Sequence, residues 1–212
     1  MRRNARRLKL MLLTSLFLCG SVQCAFAGAD GGSQSSATGA GKAEHTVYAN
    51  LGFSLMTSKF YIPYGSEGHP KRGFDWQVGY EWVSKKGIGV GLLYSGYASS
   101  YFYYYDSNIL LTYVAPQFVL KQHIGRWTIE EKLGLGYFRY NESIDIDEAS
   151  LSGLGYNFLF GAEYCFSKSW GIGANIGYIG SSLPEQESVE LDESGHSGIG
   201  RMHFDVGVRF HF

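Results

Sequence analysis

The sequence predicts an all-β fold in which eight antiparallel strands close into an up-and-down transmembrane barrel with its apolar face outward. Three observations carry that reading. From Ile199 to Phe212 the side chains alternate without a break, with Met202, Phe204, Val206, Val208, Phe210 and Phe212 on one face and Arg201, His203, Asp205, Gly207, Arg209 and His211 on the other, as the two-residue period of a strand requires. Connections between such stretches alternate between short and long. The apolar faces also carry aromatic residues towards both ends, where a bilayer places its interfaces.

Taken in order, Met1 to Ala27 combines Arg2, Arg3, Arg6, Arg7 and Lys9 with an apolar run from Leu10 to Leu18 and the close Ala25-Phe26-Ala27, the make-up of a secretory signal peptide cleaved after Ala27. Neither Cys19, after Phe17-Leu18, nor Cys24, after Val22-Gln23, suits lipidation. No other stretch approaches the roughly 20 apolar residues of a spanning helix, so any span must be made of strands. Loss of the signal takes the 18 basic residues to 13 against 19 acidic, a net charge of −6 with His neutral. That balance disfavours a nucleic-acid partner. Cys165 is then alone and forms no internal disulfide. Residues 28–43, rich in Gly, Ser and Ala, read as a flexible tether, and residues 44–212 as one barrel domain.

Val47 to Met56 sets Val47, Ala49, Leu51, Phe53 and Leu55 against Tyr48, Asn50, Gly52 and Ser54. Phe74 to Trp82 sets Phe74, Trp76, Val78, Tyr80 and Trp82 against Asp75, Gln77, Gly79 and Glu81; Gly87 to Tyr97 sets Ile88, Val90, Leu92 and Tyr94 against Gly89, Gly91, Leu93 and Ser95. Ile109 to Leu120 is the poorest, because Leu110 and Leu111 are adjacent and Pro116 lacks a ladder donor. A bulge there would shift the phase, and the strand's faces stay unassigned. Trp127 to Tyr140 turns Trp127, Ile129, Leu133, Leu135 and Tyr137 outward and Thr128, Glu130, Lys132, Gly134 and Gly136 inward, with Glu131 on the apolar face. Gly155 to Phe166, Trp170 to Tyr178 and the last strand complete the eight.

Short turns are expected at Ser84-Lys85-Lys86, Lys121 to Arg126 and Ser167-Lys168-Ser169, and long loops at Lys59 to Arg72, Ser99 to Asn108, Asn141 to Gly153 and Ser181 to Gly198. Trp82, Trp127, Phe166, Trp170 and Phe212 lie beside the short turns or at the C-terminus; Phe74, Tyr137, Tyr156 and Tyr178 lie towards the long loops. The alternation alone also fits a lipocalin-like soluble barrel with the faces inverted. Paired girdles, alternating loop lengths and the final Phe212 favour lipid.

On this pattern and its terminal Phe, the chain resembles the small eight-stranded outer-membrane β-barrel family that includes OmpX, Ail-like surface proteins and the OmpA transmembrane domain. The resemblance implies a monomer in the bacterial outer membrane, contacting lipid and lipopolysaccharide and presenting Phe212 to the barrel-assembly machinery.

The inward residues Asp75, Glu81, Glu130, Lys132, Glu163, Arg201, Asp205 and Arg209 mix both signs, which predicts an ion-pair network filling the lumen, with inward glycines making room. His203 and Asp205 could form half of a base-and-orienter pair. No Ser is tied to them by pattern and His196-Ser197 lies in a loop, so no enzyme, catalytic residue, cofactor or metal is expected. Candidate surface contacts are the aromatic run Tyr101, Phe102, Tyr103, Tyr104 and Tyr105, together with Glu185, Glu187, Glu190, Asp192 and Glu193 in an acidic stretch without Lys or Arg. These point to an extracellular protein partner in adhesion or envelope integrity. A small-solute pore and a lipid-modifying enzyme are the alternatives.

Overall fold

A computed structural model describes residues 43–57, 72–102, 106–144, 147–183 and 198–212. Eight strands follow in chain order: β1 (Glu44–Met56), β2 (Arg72–Val83), β3 (Ile88–Phe102), β4 (Asp106–Ile124), β5 (Trp127–Ile144), β6 (Asp147–Cys165), β7 (Trp170–Ser182) and β8 (Gly198–His211). Each pairs antiparallel with its neighbour, and β1 pairs with β8 from Thr46↔His211 to Met56↔Arg201, so the sheet closes. Closure leaves no unpaired edge, a condition that lipid imposes on any strand-built span.

The faces are those the alternation requires. Val47, Leu51, Phe53, Val78, Val90, Leu92, Leu133, Leu135, Phe158, Ile172, Val206 and Val208 are exposed, while Asp75, Glu81, Glu130, Lys132, Glu163, Arg201, Asp205 and Arg209 are all buried. A soluble lipocalin-like barrel would have the reverse. Aromatic side chains gather near the short turns: Trp170 packs on Phe210 at 4.9 Å between ring centroids, Phe210 on Phe212 at 5.9 Å and Trp127 on Tyr164 at 5.2 Å. Tyr156 and Tyr178 sit together at the opposite end.

The short turns have local causes. Gly87 takes φ +78° and donates to Ser84 O at 2.9 Å, while Gly125 takes φ +64° in the tight β4–β5 turn; positive φ is where glycine carries no Cβ penalty. β4 reaches Ile124, so the expected turn at Lys121 to Arg126 contracts to Gly125-Arg126.

One open point is resolved and one expectation is corrected. β4 contains no bulge: its register with β3 and with β5 is constant along its length, and only Ala115 and Pro116 drop out of the β5 ladder. Pro116 faces outward, with Tyr113, Ala115, Gln117, Val119 and Lys121 inward. A missing donor interrupts one side of the ladder without adding a residue, so the phase survives. The expected long loops at Ser99 to Asn108 and Asn141 to Gly153 are largely strand, since β3 pairs with β4 out to Phe102↔Asp106 and β5 with β6 out to Ile144↔Asp147. Spanning takes about 9–11 tilted residues, whereas β4 and β6 have 19 each. Both hairpins therefore run past the apolar band. The expected loops at Lys59 to Arg72 and Ser181 to Gly198 lie mostly outside the described residues.

Candidate functional site

Among the described residues, the inward side chains form three groups. Nearest the short turns is a closed ring of alternating charge. Lys121 Nζ lies 3.3 Å from Glu44 Oε1 and 2.9 Å from Glu81 Oε2. Glu81 also pairs with Lys132, whose Nζ is 3.2 Å from Glu130 Oε1. Arg209 Nη2 donates to Glu130 Oε1 at 2.8 Å, and Arg209 Nε lies 3.6 Å from Glu163 Oε2. His211 closes the ring, with Nε2 2.6 Å from Glu163 Oε1 and Nδ1 2.9 Å from Glu44 Oε1. Four carboxylates thus alternate with Lys121, Lys132, Arg209 and His211. Buried charges persist only when paired in this way.

Sequence and packing meet at the glycines of β7. A Cβ at Gly173 would overlap the Arg209 guanidinium, and one at Gly171 would overlap the Glu163 carboxylate. The inward glycines therefore make the room the sequence assigned to them. Above the ring, Tyr48 lies under Lys132, whose Nζ is 4.2 Å from the ring centroid, and donates to Gln117 Oε1 at 3.4 Å.

The second group joins β1, β2, β3 and β8. Arg201 pairs with Asp75 and donates through Nη2 to Ser95 Oγ at 2.7 Å, while Ser54 donates to Asp75 Oδ2 at 2.5 Å. Beside it, Asp205 Oδ2 lies 2.6 Å from His203 Nδ1 and accepts from Gln77 Nε2 at 2.9 Å. His203 and Asp205, which the sequence places on one inward face, are therefore in direct contact within a hydrogen-bond network that includes Gln77. A Cβ at Gly177 would overlap His203 Nε2, so the far nitrogen lies close to the Gly177 backbone. Ser54 and Ser95 are committed to the Asp75–Arg201 pair.

The third group is apolar and aromatic. Met56, Tyr97, Ile109, Leu111, Tyr113, Phe138, Tyr140, Leu151, Ile179, Leu183 and Ile199 are buried together towards the hairpin end. Tyr113 donates to Asn157 Oδ1 at 3.1 Å and Tyr140 to Glu142 Oε2 at 2.6 Å, so two of the rings keep their hydroxyls satisfied.

All eight charged residues that the sequence assigns inward are in the first two groups. Lys121 and Glu44 join them without being legible beforehand: the faces of β4 are ambiguous around Pro116, and β1 begins three residues before its clean alternation does. The aromatic group has no signal in a pattern that equates inward with polar. Of the candidate surface contacts, the backbone of Tyr101 and Phe102 lies at the end of β3, and Tyr103, Tyr104, Tyr105, Glu185, Glu187, Glu190, Asp192 and Glu193 lie outside the described residues.

An apolar-out, charge-in closed barrel is an arrangement for lipid, and the comparisons agree. Residues 21–212 match the outer membrane protein beta-barrel domain. The chain belongs to that family. The outer-membrane barrel is also similar to Neisserial surface protein A, at 13% identity and TM-score 0.55 over 79% of this chain and 97% of that one. Ail, the attachment invasion locus protein of Yersinia pestis, aligns at 14% identity and TM-score 0.55 over 81% and 99%, in a complex with the heparin analogue sucrose octasulfate. A major outer membrane protein from Thermus thermophilus aligns at 12% identity and TM-score 0.53 over 80% and 99%. At these identities the likeness is one of fold. A search of curated proteins finds no match. Outer-membrane barrels carry short turns on the periplasmic side, which places the charged ring near the periplasm and the aromatic group towards the outside.

Proposed function

We propose that this is a monomeric, non-enzymatic outer-membrane barrel whose lumen is filled by its own side chains and whose extracellular connections make contacts for attachment or envelope integrity. One observation carries the reading: the largest fully buried side chains, among them Arg209 and Lys132 below and Tyr97, Tyr113, Phe138 and Tyr140 above, all point into the barrel. Eight strands enclose a space that side chains of this size fill. What remains for function is the outer surface, where connections on a rigid scaffold commonly carry binding.

The sequence supports a basic partner. Pro184 to Glu193 carries five acidic residues and no Lys or Arg, which suits cationic protein segments and not a polysulfated ligand of the kind bound to Ail. The aromatic run Tyr101 to Tyr105, which lies between the bodies of β3 and β4 in the sequence, is the second candidate for contact. Removal of the signal after Ala27 is part of the proposal, and the mass of the mature protein tests it.

Deleting residues within Pro184 to Glu193 should leave a folded barrel, judged by heat-modifiable migration on a gel, and reduce attachment to a basic protein-coated surface. Planar-bilayer recording should give no steady conductance, and lipid A acyl chains should be unchanged by expression. Steady conductance would favour a pore. A change in acyl chains abolished by His203→Ala would favour an enzyme.

A further inference from the structure

Seven members of the charged ring carry fixed charges when ionised, and three of these are cations facing four carboxylates. The eighth, His211, is the one cationic member whose side chain can also serve as a metal ligand. It lies at the periplasmic mouth, where its side chain is 12% exposed and Glu44 is 24% exposed. Cys165 shares this mouth, is part-exposed, and has its Sγ 3.6 Å from Glu163 Oε1. Glu163, Cys165 and His211 each offer a ligand atom, and the three atoms lie within 4.8 Å of one another.

We propose that this cluster binds a borderline-soft divalent transition-metal ion, Zn²⁺ being the type case, through Cys165 Sγ, Glu163 and His211 Nε2, with the fourth position open to periplasmic water. Thiolate, imidazole and carboxylate are the donor set such an ion takes, at about 2.3 Å from sulfur and about 2.0–2.2 Å from nitrogen or oxygen. Tetrahedral donors at those lengths stand roughly 3–4 Å apart; Cys165 Sγ and Glu163 Oε1 already do, at 3.6 Å, and the His211 Nε2–Glu163 Oε1 contact of 2.6 Å opens to admit the ion. Magnesium and calcium prefer all-oxygen sites and do not compete.

Two further features fit a metal better than chance proximity. Glu44 Oε1 lies 2.9 Å from the other imidazole nitrogen, Nδ1, the outer-shell carboxylate that fixes a ligating histidine's tautomer and orientation. Glu163 has a fully buried side chain whose Oε2 is paired with Arg209 Nε at 3.6 Å, which turns Oε1 towards both His211 and Cys165. On binding, the thiol proton and any proton held between His211 Nε2 and Glu163 leave to solvent, and the ion takes over the cationic place that His211 holds in the ring.

The test uses the full mature protein purified in detergent with Co²⁺ as a spectroscopic probe. One equivalent of Co²⁺ should produce a thiolate-to-metal charge-transfer band, and Zn²⁺ should displace it. Cys165→Ser should abolish the band and weaken Zn²⁺ binding at least tenfold, while Glu44→Gln should keep the band and weaken binding by about 10–100-fold, the usual outer-shell effect. If Cys165→Ser misfolds, alkylation of Cys165 in the folded wild type serves in its place. Absence of the band in folded wild type, or unchanged Zn²⁺ affinity after the thiol is removed, overturns the proposal.

Discussion

Towards the periplasm the barrel interior is built from Glu44, Lys121, Glu81, Lys132, Glu130, Arg209, Glu163 and His211; towards the outside it is built from Tyr97, Leu111, Tyr113, Phe138, Tyr140 and Ile179. Both regions line the same eight-stranded interior with side chains that are mostly buried. They differ in what a vacancy or an exchange does. Each cation of the ring serves two carboxylates, so removing one leaves charges in a poorly solvated interior with no partner. The aromatic region is held by contact and shape, and tolerates an exchange of similar volume.

The largest predicted effect tests that difference directly with one replacement residue. Arg209→Met removes the partner of Glu130 and Glu163 and should cost about 3–5 kcal/mol, the range for breaking a buried pair from one side. Leu111→Met in the aromatic region should cost less than about 1.5 kcal/mol. Urea unfolding of the barrel refolded into micelles or vesicles measures both. Equal losses would mean that the two regions are governed by the same forces.

Next in size is the contrast between lumen and lipid across adjacent residues. Phe204→Arg places a charge on the lipid face and should cost about 2–4 kcal/mol if the site is near mid-bilayer. Asp205→Asn keeps a polar group beside His203 and Gln77 and should fold. The same unfolding assay applies, and the reverse ranking would invert the faces.

The aromatic region should also act as the outer closure. A maleimide with a bulky group, added to intact cells, should leave Cys165 unlabelled, because reaching the periplasmic mouth from outside requires passage through Tyr97, Tyr113, Phe138 and Tyr140. The purified barrel, open to reagent at both ends, should label without unfolding. Labelling in intact cells would mean that the outer region does not close the lumen.

Much of this fold is written in the period of the sequence, and the exceptions have physical causes. Strand faces are legible where lipid demands apolar residues outside and the interior happens to be polar, as along Phe204, Asp205 and Val206. Tyr113, Phe138 and Tyr140 break that code by being aromatic and inward, so a rule that equates inward with polar overlooks the whole outer region. The ends of β3 to β6 are illegible for a related reason. Beyond the bilayer an outward side chain need not be apolar, so the pattern stops where lipid stops while the strand continues through Asn141 and Ser150, whose side chains hydrogen-bond across the β5–β6 hairpin at 2.8 Å. The ring is only partly legible: alternation places its members on one face, but which carboxylate meets which cation depends on register and tilt.

The smallest predicted effect lies at the junction of the two regions, at Pro116, where β4 passes from Tyr113 and Ala115 to Gln117 and Lys121. Its carbonyl lies towards Gly134 of β5, so the donor that proline lacks is on the same side, where the ladder skips Ala115 and Pro116. Pro116→Ala supplies one N–H to that gap, and a hydrogen bond contributes about 0.5–1.5 kcal/mol net. Opposing this, losing the proline ring frees the unfolded chain by about 0.4–1 kcal/mol. The two effects nearly cancel, so the net change in unfolding free energy should be within about 1 kcal/mol, with added protection of the amide at position 116 in hydrogen exchange. A loss of several kcal/mol would mean that Pro116 sets the phase of β4, and with it the placement of both Tyr113 above and Lys121 below.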